Sequence, residues 1–397
     1  MSIARAGYRG WKGTAVLRTA ALLALLFTAR SGASGPEPIE FSAPPDGARL
    51  RVAAVGDVLL HARLQSQAYL AAVTSQVPGV WDDVKPLLRS AGVAYANLEG
   101  TVAPGLANDG TEDDDPGPIF DGHVYTSFPT INYHPSVLPV LSSSGIRVVS
   151  TANNHALDRG PEGVTKTLDA LDAAGILATG TRRDSSSDRY AVTTFSGFRL
   201  AWVGCTQHTN GLADSEDQVQ YCFRNQKQLL ALIEDLSSTP GIDAVIVTPH
   251  WGKQFEFEPS PNQVEFAHAA LDAGALAVLG SHPHVLQPWE KYVTQDGRET
   301  LAVYSLGNFV SGQVELECRV SILLQLDLTR DSAGVTRLAF AGYVPLLMKN
   351  RRSPCRLVAL RRDHPDPEAA SALELLGEIL PQKNMLAPRP TPGPTAR

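Results

Sequence analysis

Five short segments concentrate the side chains that can hold a cation or move a proton. Asp57 and His61 lie in GDVLLH (56–61), and Asn97 and Glu99 in NLEG (97–100). Asn153, Asn154, His155 and Asp158 lie in NNHALDRG (153–160), His250 opens HWG (250–252), and His282 and His284 flank a proline in GSHPH (280–284). Carboxylate, carboxamide and imidazole together form the mixed oxygen and nitrogen donor set that suits manganese, iron or zinc rather than a thiolate site. Two divalent ions need about that many donors, usually with a shared carboxylate, so that a hydroxide between them can attack an ester while both stabilise the charge that develops. Glu99 is the bridging candidate. Asp57 and His61 would share one face if a helical turn began after the strand. Each segment also has an ordinary reading: Gly-Asp or Asn-Asn as a turn, His250 as a packed histidine. Their joint occurrence at strand ends is what points to a metal site.

Short apolar runs at 50–55, 93–96, 146–150, 200–204, 244–248, 275–279 and 301–305 read as strands. Helical stripes follow at 161–174, 225–236 and 262–273, and 320–328 with 335–343 reads as a closing hairpin. The alternation predicts a layered α/β domain over residues 50–345. In such a sheet the carboxyl ends of the strands line the ligand crevice, where residues distant in sequence converge. The stretch 104–128 is rich in Gly, Pro and acid and reads as a surface loop, with a calcium site or a substrate-selecting lid as the sharper alternatives. His123, His134, His208, His268 and His364 have no ligand company in sequence and default to surface or supporting roles. Asp158 either orients His155 or caps the following helix.

With 34 basic and 41 acidic residues in 397, the formal charge is −7, which argues against a nucleic-acid partner. Five basic residues and no acid precede or flank an apolar run over 19–29, the layout of an export signal occupying residues 1–33, followed by a linker at 34–49. Export to a periplasmic, cell-surface or extracellular location makes disulfides plausible, and the shorter loops favour Cys205 with Cys222 and Cys318 with Cys355. Residues 346–380 read as an extension containing a helix, and 381–397 as a proline-rich disordered tail.

The quoted segments, with GSHPHVLQP (280–288) and YSLGNF (304–309), resemble the CapA-type capsule biosynthesis proteins, named for poly-gamma-glutamate capsule synthesis, of the calcineurin-like metallophosphatase superfamily. The resemblance spans about residues 50–345. It implies a layered metallophosphatase-like sandwich, α/β with mixed sheets flanked by helices. It also implies two divalent metal ions (Mn, Fe or Zn): Asp57 and His284 on the first, Asn154, His250 and His282 on the second, Glu99 bridging, and His155 as proton donor to the leaving group. Leu59 stands where many members of the superfamily carry a ligand histidine, with His61 as its substitute. Gln254 stands near where relatives often carry an acid. Asn97, Asn153, Asp158, Trp251, Gln254 and Asn308 are read as lining the site. The implied role is in making, processing or exporting an anionic capsule polymer, together with membrane-bound synthase components. A generic exported phosphoesterase and a non-catalytic polymer-binding subunit are the alternatives.

Overall fold

Alternation along Leu50-Arg51-Val52-Ala53-Ala54-Val55 builds β1 (Ala48–Leu59), whose successive side chains serve two different cores. The computed structural model describes residues 36–42, 47–74 and 76–389. The expected export signal and the last residues of the proline-rich tail lie outside the described residues.

One sheet contains β1, β2 (Val93–Leu98), β3 (Ile146–Ser150), β4 (Leu177–Thr179), β11 (Asn308–Ser311), β12 (Val320–Arg330), β13 (Thr336–Lys349) and β14 (Arg356–Ala359). Its order is β14-β13-β12-β1-β2-β3-β4, with β11 paired to the end of β1. The second sheet, in the order β5-β6-β7-β8-β10-β9, contains β5 (Tyr190–Phe195), β6 (Phe198–Thr206), β7 (Ala244–His250), β8 (Ala277–Leu279), β9 (Leu286–Val293) and β10 (Glu299–Leu306). Both sheets are mixed. β1 to β4 run parallel, as do β6, β7, β8 and β10, while β12 to β14, β5 and β9 pair antiparallel.

Leu50, Val52, Ala54, Tyr95 and Val148 face Leu200, Trp202, Ile246 and Val303 across the gap between the sheets. Tyr95 stacks on Trp202 there at 5.4 Å between ring centroids. Each such fully buried aliphatic side chain contributes about 1.5–3 kcal/mol. Helices α1 (Ala62–Val73), α2 (Lys85–Arg89) and α3 (Val137–Ser143) cover the outer face of the first sheet, through Leu64, Leu88 and Leu138 among others, and α4 (Gly160–Ala173) adds Leu171 to that core. The outer face of the second sheet packs on α5 (Gln226–Ser238) and α6 (Pro261–Asp272), which contribute Leu229, Ile233, Phe266 and Leu271. The short α7 (Leu316–Arg319) precedes β12, and α8 (Pro367–Ile379) closes the gap between the sheets with Ala369, Ala372 and Leu376. The architecture is the expected α/β sandwich.

Three sequence expectations change. The extension at 346–380 is integral, because β14 pairs with β13 and α8 completes the inter-sheet core. Residues 381–389 are docked rather than free: Asn384 is buried, donates to Ala341 O at 2.9 Å and exchanges hydrogen bonds with the Ile39 backbone, which fastens part of the linker too. Cys205 and Cys222 form a disulfide, whereas Cys318 and Cys355 are buried and unpaired. Cys355 belongs to the core outside the first sheet and Cys318 to α7, and a short loop in sequence does not by itself bring two Cβ atoms together.

The stretch 104–128 is the expected surface loop, exposed over 108–115, and is anchored at both ends. Leu106, Ala107, Val124 and Tyr125 are buried. Its acids meet partners within the loop or beside it, Asp113 with His123, Asp115 with the Tyr125 hydroxyl and Glu112 with Lys166. The buried Arg159 guanidinium ties the loop to the turn that carries His155, donating to Leu106 O at 3.1 Å, Val124 O at 3.2 Å and Thr126 Oγ1 at 2.6 Å. Arg159→Ala removes three donations in a dry setting and leaves Asn132 Nδ2 as the remaining donor to Val124 O and Leu106 O, so thermal or urea unfolding should show a loss of about 2–4 kcal/mol, with new protease cleavage inside 104–128. Unchanged stability and cleavage would remove the clamp role.

Candidate metal centre

The carboxyl ends of β1, β2 and β3 meet those of β7 and β8 at one crevice. Gly56 permits this approach, and Gly280 permits the chain after β8 to lie close against β10 within the second sheet. A Cβ on Gly56 would lie 1.7 Å from Gly307 O, the same carbonyl that accepts the Asp57 N–H at 3.1 Å. A Cβ on Gly280 would lie 2.0 Å from Tyr304 O.

Asp57 is still inside β1, in register with Asn97 and Asn308. His61 follows as the N-cap of α1, so the expected helical face shared with Asp57 does not form, because the strand continues through Leu59. The His61 Nδ1 accepts the Gly312 N–H at 3.0 Å, and the ring belongs to neither of the ligand groups below. It stands at the rim, close enough to His284 and His155 for their charges to lower its pKa, to which burial is the larger contributor.

Among the described residues, Asp57, Glu99 and His284 form one group that could hold a metal ion, and Glu99, His250 and His282 form the other, with ligand atoms in each group within 4.8 Å of one another. Glu99 is common to both. Its Oε1 is 3.7 Å from His250 Nε2, 3.8 Å from His284 Nε2 and 4.0 Å from His155 Nε2. Asp57 Oδ2 is 3.3 Å from His284 Nδ1, and its Oδ1 accepts from Asn97 Nδ2 at 2.7 Å. Asn154 Oδ1 lies 2.8 Å from His250 Nε2, and His250 Nε2 lies 3.0 Å from His282 Nδ1. Both Glu99 oxygens are buried and accept no hydrogen bond. An isolated buried carboxylate is strongly disfavoured unless it is neutralised or coordinates a metal, so this donor set fits a divalent cation.

The electrostatics agree. Burial raises the Glu99 carboxyl to about 7, against the pull of His284. Burial works against a charged His284, but Glu99 and Asp57 win and push it up to about 9. His250 and His282 are held well below the ordinary histidine value, by burial first and by neighbouring histidines second, so they are neutral and offer lone pairs. At His155 burial is opposed by the Asp158 hydrogen bond and by the charges of Asp158 and Glu99, and the net shift is upward.

Asp158 Oδ2 lies 2.7 Å from His155 Nδ1 and accepts from the Ile131 N–H at 2.5 Å. It orients His155 rather than capping α4, whose N-cap is Arg159 with no side-chain cap. The His155 Nε2 is thereby turned toward Glu99. Asn153 shapes this turn, donating to Leu98 O at 2.8 Å and accepting from the His155 N–H at 3.1 Å. Asn308 Oδ1 lies 3.1 Å from His284 Nδ1, and Gln254 Nε2 lies 3.4 Å from His284 Nε2. Trp251 does not line the crevice as expected. It is buried among Phe266 and Tyr304 with its Nε1 donating to Tyr304 O at 3.0 Å, because strand alternation turns it away from His250.

Ser281 and Asn210 join the crevice without having been singled out from sequence, and His208 takes one of the two roles expected of it, a supporting one. Ser281 Oγ lies 2.9 Å from His250 Nδ1, the His208 ring stands edge-on to His282 at 5.3 Å, and Asn210 Oδ1 accepts from Asn154 Nδ2 at 3.3 Å. His208 and Asn210 lie in the segment closed by the Cys205–Cys222 disulfide, just past the end of β6. Their position after the fourth strand candidate was the one available signal.

The chain is 27% identical over 285 residues to the PGA biosynthesis protein CapA of Bacillus subtilis (strain 168), covering 70% of this chain and 68% of that one. It is 31% identical over 199 residues to the capsule biosynthesis protein CapA of Bacillus anthracis, covering 49% of this chain and 47%, about half, of that relative's length. A solved structure of the Haemophilus influenzae NAD nucleotidase aligns with a TM-score of 0.44 at 14% identity, over 86% of this chain and 64% of that one. The family model for bacterial capsule synthesis proteins, PGA_cap, matches residues 51–313, which hold Asp57, Glu99, His155, His250, His282, His284 and Asn308. The chain belongs to the PGA_cap family of bacterial capsule synthesis proteins.

Proposed function

We propose that this chain is an exported protein whose crevice holds two divalent metal ions and acts on an anionic capsule polymer such as poly-gamma-glutamate during its synthesis, processing or export. The observation that carries the metal reading is Glu99: a buried carboxylate with neither oxygen hydrogen-bonded, shared by two ligand groups. Asp57, Glu99 and His284 would hold one ion, and Glu99, Asn154, His250 and His282 the other. Manganese, iron or zinc suits these donors. When bound, the ions supply an activated nucleophile and stabilise negative charge developing on the substrate. The protein's own groups do the rest. His155, held by Asp158, presents Nε2 to the crevice and delivers its proton to the leaving atom, and its raised pKa keeps it charged closer to neutral pH. Asn308 and Ser281 fix the rings of His284 and His250. The family match and the capsule-related names of the Bacillus relatives support the polymer as substrate class. The Cys205–Cys222 disulfide supports export, since such bonds persist in oxidising compartments.

The test is a calorimetric metal titration of the full-length protein. Two ions should bind, with Asp57→Ala and His282→Ala each losing a different one. In the metal-free protein His284 carries a proton up to about pH 9 and must lose it to bind, so loading at pH 7 releases protons and tightens as pH rises toward 9. The stability that the charged His284 contributes to the metal-free fold is present below its ordinary value of 6.5 and is lost as pH rises through about 9. Absence of binding, or a heat independent of the buffer's ionisation enthalpy, would refute the centre as described.

A further inference from the structure

Beside His284 the surface opens into an apolar cavity of about 410 Å³, lined by Phe255, Phe257, Val285 and Val314 and rimmed by Glu315 and Glu317. It adjoins the crevice directly. The Phe255 ring lies 6.1 Å from that of His284, and Val285 follows His284 in the chain. Asn308, which holds His284, also donates to Gln313 Oε1 at 2.8 Å and to Cys318 O at 2.9 Å, both residues of the cavity wall.

The two phenylalanines are exposed at some conformational expense. Phe255 is 53% and Phe257 37% exposed, and Phe255 has a φ of +66°, a left-handed backbone that bulky side chains rarely adopt. The Phe255 N–H is spent on Pro283 O at 2.8 Å, and the buried Gln287 side chain donates to Glu256 O at 2.9 Å and Glu258 O at 3.1 Å. A buried side chain thus pins this segment in a shape that presents both rings outward. Strain of this kind persists where the surrounding structure imposes it, and it clusters at ligand sites.

We infer that this cavity is a substrate subsite that takes an uncharged aryl or short alkyl group attached to the anion held at the metal centre. The inference rests on the proposed centre. Glu315 and Glu317 at the rim repel a further carboxylate or phosphate, so the charged part of the ligand stays at the crevice and only its apolar part enters. Specificity then depends on Phe255 and Phe257, with the phenyl ring replacing water against two aromatic faces.

Calorimetry on the metal-loaded full-length protein with methylphosphonate, phenylphosphonate and 4-carboxyphenylphosphonate tests this. Phenylphosphonate should bind at least about tenfold tighter than methylphosphonate, and the added carboxylate should erase most of that gain. Phe255→Gly and Phe257→Ala should bring the phenyl-to-methyl ratio toward one with metal content and methylphosphonate affinity unchanged, and Phe255→Gly should melt no lower than wild type because glycine relieves the positive φ. A ratio near one in the wild type, or a ratio that survives both substitutions, overturns the subsite. Tight phenylphosphonate binding without methylphosphonate binding would keep the subsite and count against anion capture by the metals, and no binding of either ligand to protein that holds both ions overturns the two together.

Discussion

Glu99→Gln should strip the centre of both ions, lowering affinity for each by more than about a hundredfold, since even groups that only support a metal ligand cost 10–100-fold when lost. The expectation follows from its place in both ligand groups. Asp57→Ala or His282→Ala would remove one ion's ligand, whereas an amide at position 99 removes the charge that offsets two cations. The same change alters the metal-free protein. Glu99, raised to about 7 from an ordinary 4.5, contributes stability fully present below pH 4.5 and lost as pH rises through 7. Glutamine does not titrate, so metal-free Glu99→Gln should lack that decline. His284, whose upward shift draws on Glu99 most among its attractive partners, should fall back toward 6.5. Elemental analysis, unfolding between pH 4 and 8 and imidazole NMR read the three effects. Retention of both ions by the variant would sink the bridging role.

His155→Ala should leave metal content unchanged while turnover falls by about 10²–10⁴-fold, the usual contribution of a positioned general acid. His155 is in neither ligand group, and its Nε2 faces the crevice while its Nδ1 is taken by Asp158. Asp158→Asn should give a smaller loss with a diagnostic sign. The carboxylate raises the His155 pKa, and an acid catalyst is lost as pH rises through its pKa, so the alkaline limb of the pH profile should move to lower pH. Turnover is to be sought on phosphoesters and gamma-glutamyl substrates with added Mn or Zn. Equal turnover by His155→Ala and wild type would end its role as proton donor. No turnover by the fully loaded protein would favour a metal-stabilised subunit that only holds polymer.

Much of this centre could be read from the residues. Asp57, Glu99, His250, His282 and His284 each stand at or just past an apolar run, and strands deliver such positions to a common rim whatever the details of packing. The runs themselves follow from period-two burial, as Leu50, Val52 and Ala54 show. His61 and Trp251 were less legible. Their placement depends on where β1 stops and on which way a residue after β7 turns, and one residue of error reverses a side chain on a strand. The pairing of Cys318 with Cys355 depends on three-dimensional distance, which loop length does not encode.

Sequence alone determined the donor types, their order and the strands that carry them, because hydrophobic periodicity and the chemistry of Asp, Glu, Asn and His are local properties. Tertiary structure decided which donors meet. Only the approach of two sheets, permitted at Gly56, places Glu99 between His250 and His284 and leaves both its oxygens without a hydrogen-bond donor. It also brought in Ser281, His208 and Asn210, and set the exposed Phe255 beside His284. The physical reason is that burial, charge coupling and strain arise from neighbours distant in the chain, and these neighbours exist only once the sheets have packed.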